Sequence, residues 1–282
     1  MSSSAVQPIL ALLSSLPGGN PMQYMIEKAF THHGLDWRYL TVEVQPETLG
    51  DAVRGMKAMG FAGGHCGDRH KREIVPLLDR TSETADLVGA VNVISREEGE
   101  LVGDSCEGKG LSTALGRLTD VKGKRVVLLG AGKAGRAAAV ELTTIGVEHV
   151  TIVNRTEQHA NDLARLLDER FRMPVTTVVW EGDYEVPPET ELLINATSIG
   201  HKDADARVPV DLDTLRPEMI VADMTTDPPQ TRLLREAKER GCQTVDGLTM
   251  YIDQVALAFN RWTGVAPDLD VMREAIEEFL EV

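Results

Sequence analysis

Three glycines at fixed spacing constrain this chain more than any other feature of its sequence. They lie in the segment Gly-Ala-Gly-Lys-Ala-Gly at 130–135, directly after an apolar strand candidate at 125–129 and directly before an alanine-rich helix candidate at 136–144. The first glycine permits a tight turn, the second lets backbone amides approach a pyrophosphate, and the third allows close helix packing. The helix N-terminus adds partial positive charge. A glycine-rich turn without a ligand is the alternative. The predicted dinucleotide contacts here are Gly130, Ala131, Gly132, Lys133, Ala134 and Gly135.

The segment after the next strand candidate indicates which dinucleotide binds. An NAD-binding fold should place an acidic residue about twenty positions beyond the glycines. This chain has Asn154, Arg155 and Thr156 there instead. An arginine can pair with a 2′-phosphate and stack beside adenine, and the flanking side chains offer uncharged hydrogen bonds. The pattern predicts NADP(H) as the cofactor, with a solvated surface arginine as the alternative.

Strand and helix patterns alternate along the chain and indicate an α/β fold. Near-continuous apolar strands separated by helices predict a parallel sheet covered on both faces in the middle third. We therefore predict an N-terminal α/β substrate-binding domain at 1–108, beginning with a βαβ unit, and a Rossmann-type doubly wound NADP domain at 109–244. Residues 245–282 are expected to pack back onto the first domain as helices. The strand candidates are 9–13, 37–44, 125–129, 149–154, 175–180, 192–195, 219–223 and 244–246, and the helix candidates are 21–33, 46–59, 136–144, 231–240, 249–262 and 269–280.

Length, charge and cysteine content narrow the class of protein. A chain of 282 residues fits two domains better than one. Its formal net charge of -15 repels a phosphate backbone, which excludes nucleic acid as a partner. No apolar run approaches the roughly 18 residues of a membrane span, and the N-terminus lacks the pattern of a secretory signal. The three widely spaced cysteines indicate reduced thiols rather than a disulfide framework or a CxxC zinc site. We expect a cytoplasmic monomer or homodimer that binds a small-molecule substrate.

Small polar residues follow the strand candidate at 192–195. Residues 195–200 read Asn-Ala-Thr-Ser-Ile-Gly, at the carboxyl edge where ligands sit in open α/β sheets. Thr197 and Ser198 are predicted to line the nicotinamide half of the cofactor site. Taken alone, the segment could equally be an ordinary polar turn.

Further segments, taken with the glycine motif, resemble the shikimate dehydrogenase family, which includes quinate/shikimate dehydrogenases, over nearly the whole chain. Residues 60–71 resemble its Gly-Phe-x-Gly-x-Asn-Val-Thr-x-Pro-x-Lys stretch, and residues 89–92 its Gly-Ala-Val-Asn motif. Residues 154–156 and 195–198 match its cofactor-domain motifs. Residues 254–264 resemble its C-terminal Gln-Ala-x-x-x-Phe-x-x-Trp-x-Gly segment.

The resemblance implies an enzyme that reduces a cyclohexene ketone, 3-dehydroshikimate, with NADPH. The family uses a lysine and an aspartate in a cleft between its substrate domain and its Rossmann domain. Lys71 falls on the lysine position, where its positive form would stabilise a developing alkoxide. Asn92 and Gln254 are the substrate-facing matches. The resemblance adds Met224 and Gly247 to the predicted cofactor contacts.

The predicted proton-transfer pair departs from the family pattern at one member. Residues 105–107 read Ser-Cys-Glu where the family has Asn-Thr-Asp. The carboxylate is therefore Glu107, which is one methylene longer than aspartate. Glutamate keeps the negative charge of aspartate, but its longer side chain must adopt a different conformation to place the carboxylate at the same point. Lys71 and Glu107 are the predicted catalytic residues.

The predicted substrate contacts depart further. His65, Cys66 and Gly67 replace the family's Asn-Val-Thr, Arg69 replaces its proline, and Thr226 replaces an expected tyrosine. At 18–23 the serines that bind the substrate carboxylate are missing, and Asn20 is the only comparable polar group. Losing several hydroxyl-binding groups should cost affinity severely, so we expect weak or altered shikimate turnover. The predicted substrate-binding residues are Asn20, His65, Asn92 and Gln254.

Three hypotheses about activity follow. The first is an NADP-dependent dehydrogenase of the shikimate type that acts on 3-dehydroshikimate or a related polar ring ketone. The second is a non-catalytic NADP-binding relative, such as a sensor or regulatory protein, because a fold does not fix a function. The third is a metal-assisted enzyme that uses His65, Cys66, His70, Cys106 and Glu107, although their spacing matches no defined ligand motif.

Overall fold

The computed structural model describes residues 6–280. The chain divides into two compact units. The first unit consists of Met1–Cys106 and Val255–Val282, and the second of Glu107–Gln254. The assignment of substrate to the first unit and of cofactor to the second stays a prediction.

The first unit is built on a mixed sheet of six strands. Their order across the sheet is β2-β1-β3-β5-β6-β4, with β5 antiparallel to both of its neighbours. The strands are β1 Ile9–Ser14, β2 Arg38–Glu43, β3 Gly63–Cys66, β4 Arg80–Thr81, β5 Val93–Glu97 and β6 Glu100–Asp104. The helices are α1 Met22–His32, α2 Leu49–Ala58 and α3 Glu83–Val88, with α9 Leu269–Leu280 from the C-terminal part of the chain.

The predicted βαβ unit at the start of the chain is confirmed. Strand β1 pairs in parallel with β2, and α1 connects them. The predicted helix at 46–59 begins with a 3-10 turn at Pro46–Thr48 before α2, because proline suits a first helical turn. Helix α9 packs against α1. The last helix thus lies in the first compact unit.

Chain segments that are far apart in sequence meet at one end of the strands of this sheet, which we call the sheet edge. The residues His65, Val93 and Asp104 lie side by side on β3, β5 and β6. Because β5 runs opposite to both neighbours, β3 and β6 end where β5 begins. Strand β1 is parallel to β3 and ends at the same edge. Residues that follow β1, β3 and β6, or precede β5, therefore meet there.

The second unit contains a six-stranded sheet whose named pairings are all parallel. Its order is β12-β11-β10-β7-β8-β9. The strands are β7 Arg125–Leu129, β8 His149–Asn154, β9 Val175–Val179, β10 Leu192–Asn195, β11 Ile220–Asp223 and β12 Gln243–Val245. The helices are α4 Glu107–Gly116, α5 Lys133–Ile145, α6 Glu157–Phe171 and α7 Arg232–Glu239, and α8 Gly247–Thr263 runs across the division between the units.

This strand order confirms the predicted Rossmann fold. Numbered within the unit, it reads 6-5-4-1-2-3, so the order reverses between β7 and β10. Ligands in open α/β sheets bind at such a reversal, beyond the carboxyl ends of the strands.

Among residues 6–280, no helix combines the length and the apolar character that crossing a bilayer requires.

Two glycines of α4 allow helices to pack closely within the second unit. A Cβ atom at Gly108 would lie 2.3 Å from the carbonyl oxygen of Ala137 in α5. One at Gly110 would lie 2.4 Å from the carbonyl oxygen of Met250 in α8. The first turns of α8 therefore belong to this unit, which extends to Gln254 rather than to the predicted boundary at 244.

Candidate functional site

Lys71 follows β3 and lies at the edge where β3 ends and β5 begins. Its side chain is 14% exposed, and Nζ lies 2.6 Å from Oδ1 of Asp68, whose side chain is 86% exposed. The Lys71 carbonyl oxygen accepts a hydrogen bond from the backbone N–H of Val91 over 2.7 Å. This bond ties the lysine to the segment that leads into β5. The predicted catalytic lysine is thus a mostly buried cation held at the sheet edge.

His65 in β3 is buried and neutral. The residue is 2% exposed, and burial, with the nearby positive charge of Lys71, lowers the pKa of its imidazole to about 3. Nδ1 lies 2.8 Å from the hydroxyl of Tyr39 in β2. The imidazole meets the ring of Trp262 edge-on, with centroids 4.9 Å apart. Nε2 has no hydrogen-bond partner among the described residues. This predicted substrate residue therefore carries one buried polar atom that the rest of the unit leaves unsatisfied.

Asn92, the residue before β5, holds the ends of the neighbouring strands together. Its side-chain Oδ1 accepts a hydrogen bond from the backbone N–H of Cys106 over 2.8 Å. Its backbone carbonyl accepts one from Cys66, and its N–H donates to the carbonyl of Asp104, both over 3.0 Å. The residue is 5% exposed. These contacts fix Asn92 at the same edge as Lys71 and His65.

Asp104 organises the end of β6, and no sequence motif singled it out. Its buried carboxylate accepts hydrogen bonds from the backbone N–H of Ser105 over 2.8 Å and from the Arg261 guanidinium over 2.6 Å. The hydroxyl of Ser82 also donates to it. Arg261 pairs in addition with Glu97. These donors satisfy the buried carboxylate, and it anchors the segment that leads towards residue 107.

The segment before α1 offers little to a carboxylate ligand. The side-chain oxygen of Asn20 accepts a hydrogen bond from the N–H of Met22 over 2.9 Å. The side-chain oxygen of Gln23 accepts one from the N–H of Thr41, also over 2.9 Å. Residues 18–23 contain no hydroxyl group and no cation. Asn20 stays a predicted substrate residue, and Arg69, which replaces the family's proline, is exposed.

Cysteine and histidine residues that the metal hypothesis invokes are buried in this structure. Burial raises the pKa of the Cys66 thiol to about 12, so the thiol stays protonated. His70 is buried, with Nε2 2.8 Å from the carbonyl oxygen of Val44. Cys66, Cys106 and Cys242 are buried, free cysteines. Within residues 6–280, no three His, Cys, Asp or Glu side chains form a group that could hold a metal ion.

Glu107 and Gln254 belong to the second unit. Glu107 is the first residue of α4 and is half-buried. Gln254 lies half-buried on α8, and its Cβ is 3.0 Å from the position that a Cβ at Gly110 would take. The predicted roles of Glu107 in proton transfer and of Gln254 in substrate binding stay predictions.

The glycine segment of the second unit fits a bound pyrophosphate. Gly130 has a φ of 99°, which favours glycine. A Cβ at Gly135 would lie 2.0 Å from the carbonyl oxygen of Gly130, so this glycine is required for packing. Gly132 differs: it caps α5 with a φ of -77°, and a Cβ there would meet nothing within 4 Å. The fold does not need a glycine at 132, whereas a phosphate approaching the start of α5 does.

Helix α5 begins at Lys133 rather than at the predicted residue 136. Lys133, Ala134 and Gly135 therefore form its first turn, and Lys133 is exposed. Backbone N–H groups of a first helical turn point out of the helix and favour an anion. This geometry is consistent with the predicted contacts in the segment.

Asn154 joins the glycine loop to the loop after β8. Its side-chain oxygen accepts a hydrogen bond from the N–H of Ala131 over 3.0 Å, and its amide nitrogen donates to the carbonyl of Thr156 over 2.8 Å. Arg155 lies between them and is exposed. Asn154 thus shapes the site through the backbone, while Arg155 is presented to solvent.

Asn195 and Asp223 shape the loops after β10 and β11. The side-chain oxygen of Asn195 accepts hydrogen bonds from Thr197, from its N–H over 3.2 Å and from its hydroxyl over 2.8 Å. The Asn195 amide donates to the Asp223 carboxylate over 3.0 Å. Burial raises the pKa of Asp223, against hydrogen bonds that include one from the Thr231 hydroxyl. This pair fixes the loop that carries Thr197 and Ser198, and no sequence motif indicated it.

Met224 and Gly247 are brought together after β11 and β12. A Cβ at Gly247 would lie 2.1 Å from the carbonyl oxygen of Thr225 and 2.9 Å from the carbonyl carbon of Met224. The N–H of Met224 donates to the Asn195 carbonyl over 2.9 Å. Gly247 is therefore required so that the chain at 224–225 can pass the start of α8. A direct cofactor contact by either residue stays a prediction.

These features define a class of protein. A Rossmann sheet carries its glycine turn at the point where the strand order reverses, and a second α/β unit presents a buried lysine beside an asparagine at one sheet edge. Such a combination is that of an NAD(P)-dependent oxidoreductase acting on a small molecule.

The chain belongs to the shikimate dehydrogenase family. The model of the shikimate dehydrogenase substrate binding domain matches residues 23–94, that of shikimate / quinate 5-dehydrogenase residues 112–198, and that of the shikimate 5'-dehydrogenase C-terminal domain residues 247–277. The NADP(+) shikimate dehydrogenase of Thermococcus kodakarensis is 39% identical over 254 residues, covering 90% of each chain. That of Methanopyrus kandleri is 37% identical over 273 residues, covering 93% of this chain and 94% of the relative.

Solved structures extend the comparison beyond shikimate dehydrogenases. The ligand-free 5-ketofructose reductase of Gluconobacter sp. strain CHM43 is 40% identical, with a TM-score of 0.95, covering 98% of this chain and 99% of that one. A shikimate dehydrogenase in complex with NADP+ is 33% identical, with a TM-score of 0.87 and coverage of 98% and 96%. A quinate dehydrogenase of Corynebacterium glutamicum in complex with NAD is 27% identical, with a TM-score of 0.84 and coverage of 98% and 99%.

Proposed function

We propose that this protein is an NADPH-dependent reductase of a neutral polyhydroxylated ketone such as 5-ketofructose. The observation that carries the proposal is the likeness to 5-ketofructose reductase, which extends over nearly the full length of both chains at 40% identity and a TM-score of 0.95. Lys71 and Asn92, the groups that the reduction of any ketone in this family would use, are retained. A ring ketone of the 3-dehydroshikimate type is the competing substrate.

The absence of hydroxyl groups and cations from residues 18–23 supports a neutral substrate. Shikimate and quinate carry a carboxylate, which proteins bind with hydroxyl groups, backbone amides or cations. Residues 18–23 supply neither a hydroxyl nor a cation, and the side-chain oxygens of Asn20 and Gln23 serve the backbone. Gly67 stands at the position of the family's threonine. A Cβ there would lie 2.7 Å from Oγ of Ser14, so a larger side chain is excluded unless Ser14 moves.

The retained residues suit the reduction of a ketone to an alcohol. Bound NADPH supplies the hydride, and Lys71 donates a proton from Nζ to the carbonyl oxygen. Its positive charge stabilises negative charge that develops on this oxygen. The burial of Lys71 and its salt bridge to Asp68 hold the ammonium group in place. The hydrogen bond from the backbone N–H of Val91 to the Lys71 carbonyl oxygen ties Lys71 to the residue before Asn92, and we expect both side chains to serve the same substrate.

The preference for NADPH rests on Arg155. It lies exposed in the bend between β8 and α6, where an NAD-specific fold has an acid. A guanidinium can bind the 2′-phosphate through two parallel hydrogen bonds. Asn154 and Thr156 shape the backbone around it.

We also propose that the protein is cytoplasmic and is a monomer or a homodimer.

A substrate panel tests the proposal. NADPH oxidation at 340 nm would be followed with 5-ketofructose and 3-dehydroshikimate, and NADP+ reduction with shikimate and quinate. We expect a kcat/KM for 5-ketofructose about 100-fold above that for 3-dehydroshikimate, because a site without carboxylate partners loses affinity for an acid. A preference for 3-dehydroshikimate would contradict the neutral substrate. NADPH binding without turnover of any compound would favour the non-catalytic relative.

A further inference from the structure

We infer that Tyr39 and His65 act together as a specificity device, in which the Tyr39 hydroxyl holds the imidazole so that Nε2 donates a hydrogen bond to an oxygen atom of the substrate. His65 would be the contacting residue and Tyr39 the positioning residue. The identity of that substrate rests on the proposed function. The geometry of the Tyr39–His65 pair does not depend on the proposed function.

The hydrogen bond between the two side chains determines where the imidazole proton lies. A neutral imidazole has one nitrogen that donates and one that accepts. The Tyr39 hydroxyl lies 2.8 Å from Nδ1 of His65 and 3.0 Å from Sδ of Met22. An imidazole nitrogen is a much stronger acceptor than a thioether sulfur. The hydroxyl proton therefore points to Nδ1, and the ring proton is left on Nε2.

Packing fixes the ring that carries this donor. The edge-on contact with Trp262 limits rotation of the imidazole, and Trp262 is itself held by a hydrogen bond from Nε1 to the carbonyl oxygen of Ile94 over 2.8 Å. Tyr39 is fully buried. A donor on a rigid ring binds with little loss of conformational entropy. His65 is thus preorganised to a degree that a flexible polar side chain is not.

His65 lies on the strand next to the predicted substrate residue Asn92. His65 pairs with Val93 across the sheet, next to Asn92, and the Asn92 carbonyl holds the following residue, Cys66. The positive charge of Lys71 acts on the imidazole. A buried donor without a partner is costly, and native proteins keep such groups mainly where a ligand or a function needs them. A substrate oxygen at this sheet edge would satisfy Nε2.

The chemistry of the pair also matches the proposed substrate class. A neutral N–H binds hydroxyl and carbonyl oxygens, which a polyhydroxylated ketone has in abundance. It adds no positive charge that would favour a carboxylate. The resemblance places an asparagine at this position in relatives that act on acids. Replacing it by histidine, with Tyr39 behind, would shift the preference towards neutral polyols.

The test combines kinetics with a spectroscopic measurement on the full chain. In the wild type, nitrogen-15 NMR should show the ring proton of His65 on Nε2, and Tyr39→Phe should shift it to a mixture of both tautomers. With 5-ketofructose, or with the substrate that the panel identifies, Tyr39→Phe should raise KM about fivefold and His65→Phe about 30-fold, within the range for a lost hydrogen bond. The dissociation constant of NADPH should not change. Tyr24→Phe, on α1 against Phe279, is the matched control and should leave every value unchanged.

The outcomes separate this inference from the proposed function. A wild-type spectrum with the proton on Nδ1 overturns the inference whatever the substrate is. An unchanged KM in both His65→Phe and His65→Asn, with NADPH binding retained, also overturns it, even if 5-ketofructose is reduced well. A preference of the wild type for 3-dehydroshikimate rejects the proposed substrate. The KM values of the Tyr39 and His65 variants with that compound then test the Tyr39–His65 pair. If His65→Phe fails to fold, the wild-type spectrum and His65→Asn decide.

Discussion

The backbone N–H of Ala131 donates a hydrogen bond to the side-chain oxygen of Asn154 over 3.0 Å, which joins the glycine loop to the loop that carries Arg155. The two neighbouring residues thus have different tasks. In the proposed cofactor site, Asn154 would shape the loop for any dinucleotide, whereas Arg155 would bind the phosphate that distinguishes NADP from NAD.

Substitutions at these two positions should therefore change cofactor binding in different ways. Asn154→Ala should weaken NADPH and NADH by similar factors of about 5–10, because the loss of one hydrogen bond loosens the loop for both. Arg155→Gln should weaken NADPH about 30-fold and leave NADH nearly unchanged, because a charge-assisted pair is lost. Fluorescence titration gives all four dissociation constants. Arg165→Gln, which breaks a surface pair with Asp162 on the next helix, is the control. Equal losses for both cofactors in Arg155→Gln would contradict the phosphate assignment.

Gly132 and Gly135 should respond in opposite ways to the addition of one methyl group. Gly132→Ala places the methyl in open space, so the melting temperature should hold, but NADPH should bind about tenfold more weakly because the methyl occupies pyrophosphate space. Gly135→Ala places it against the Gly130 carbonyl oxygen and should lower the stability by about 1–3 kcal/mol. Calorimetry measures stability and titration measures binding. Unchanged NADPH binding in a folded Gly132→Ala protein would contradict the predicted cofactor position.

Lys71→Met should remove the proton donor while the protein still binds NADPH. The loss of a positioned acid typically lowers kcat by about 10²–10⁴. The melting temperature should stay within a few degrees, because the lost salt bridge is to a largely exposed aspartate. Lys57→Met, which breaks the pair between Lys57 and Asp79 on the surface of the same unit, should leave kcat unchanged. Equal kcat values in Lys71→Met and wild type would remove Lys71 from the reaction.

His65 should make the stability of the protein depend on pH. Its pKa lies near 3 in the folded protein and at 6.5 in its ordinary state. Below pH 6.5 the unfolded chain takes up a proton that the folded protein refuses, so stability falls as pH falls towards 3. Between pH 6.5 and 4.5 this costs about 2 kcal/mol.

Urea denaturation of the wild type and of His65→Asn at both pH values measures this contribution. The wild type should lose about 2 kcal/mol more than the variant over this interval, whatever their difference in stability at pH 7. Parallel pH profiles would show that His65 is not buried in its neutral form.

The architecture of the second unit could be predicted because its central strands β7, β8, β10 and β11 are mostly apolar, buried runs between turn residues. In the first unit β3, β4, β5 and β6 were missed, and β3 shows why. It reads Gly-Gly-His-Cys, and its two glycines serve close backbone approach: a Cβ at Gly64 would lie 1.9 Å from the carbonyl oxygen of Ala11. No hydrophobic period marks such a strand. Its existence depends on the neighbouring β1 rather than on its own sequence.

Some residues of the candidate site could be predicted from short sequence motifs, and others could not. The glycine motif was found because its spacing is fixed within a short segment, and Lys71 was found because residues 60–71 resemble a family motif. Tyr39 and Asp104 were not, because their partners are distant in sequence: 26 residues separate Tyr39 from His65, and 157 separate Asp104 from Arg261. Such pairs exist only once the sheet has brought β2, β3 and β6 into register. A local pattern cannot encode them.

The transfer of deuterium from labelled NADPH to product tests the central claim most directly. Purified protein would be mixed with 5-ketofructose and NADPH that carries two deuterium atoms at C4 of the nicotinamide, and the sugar product analysed by mass spectrometry. The account predicts an alcohol one mass unit heavier than the product made with unlabelled NADPH, and far less of it with Lys71→Met. A sugar that is recovered unreduced, while 3-dehydroshikimate takes up the label under the same conditions, would contradict it.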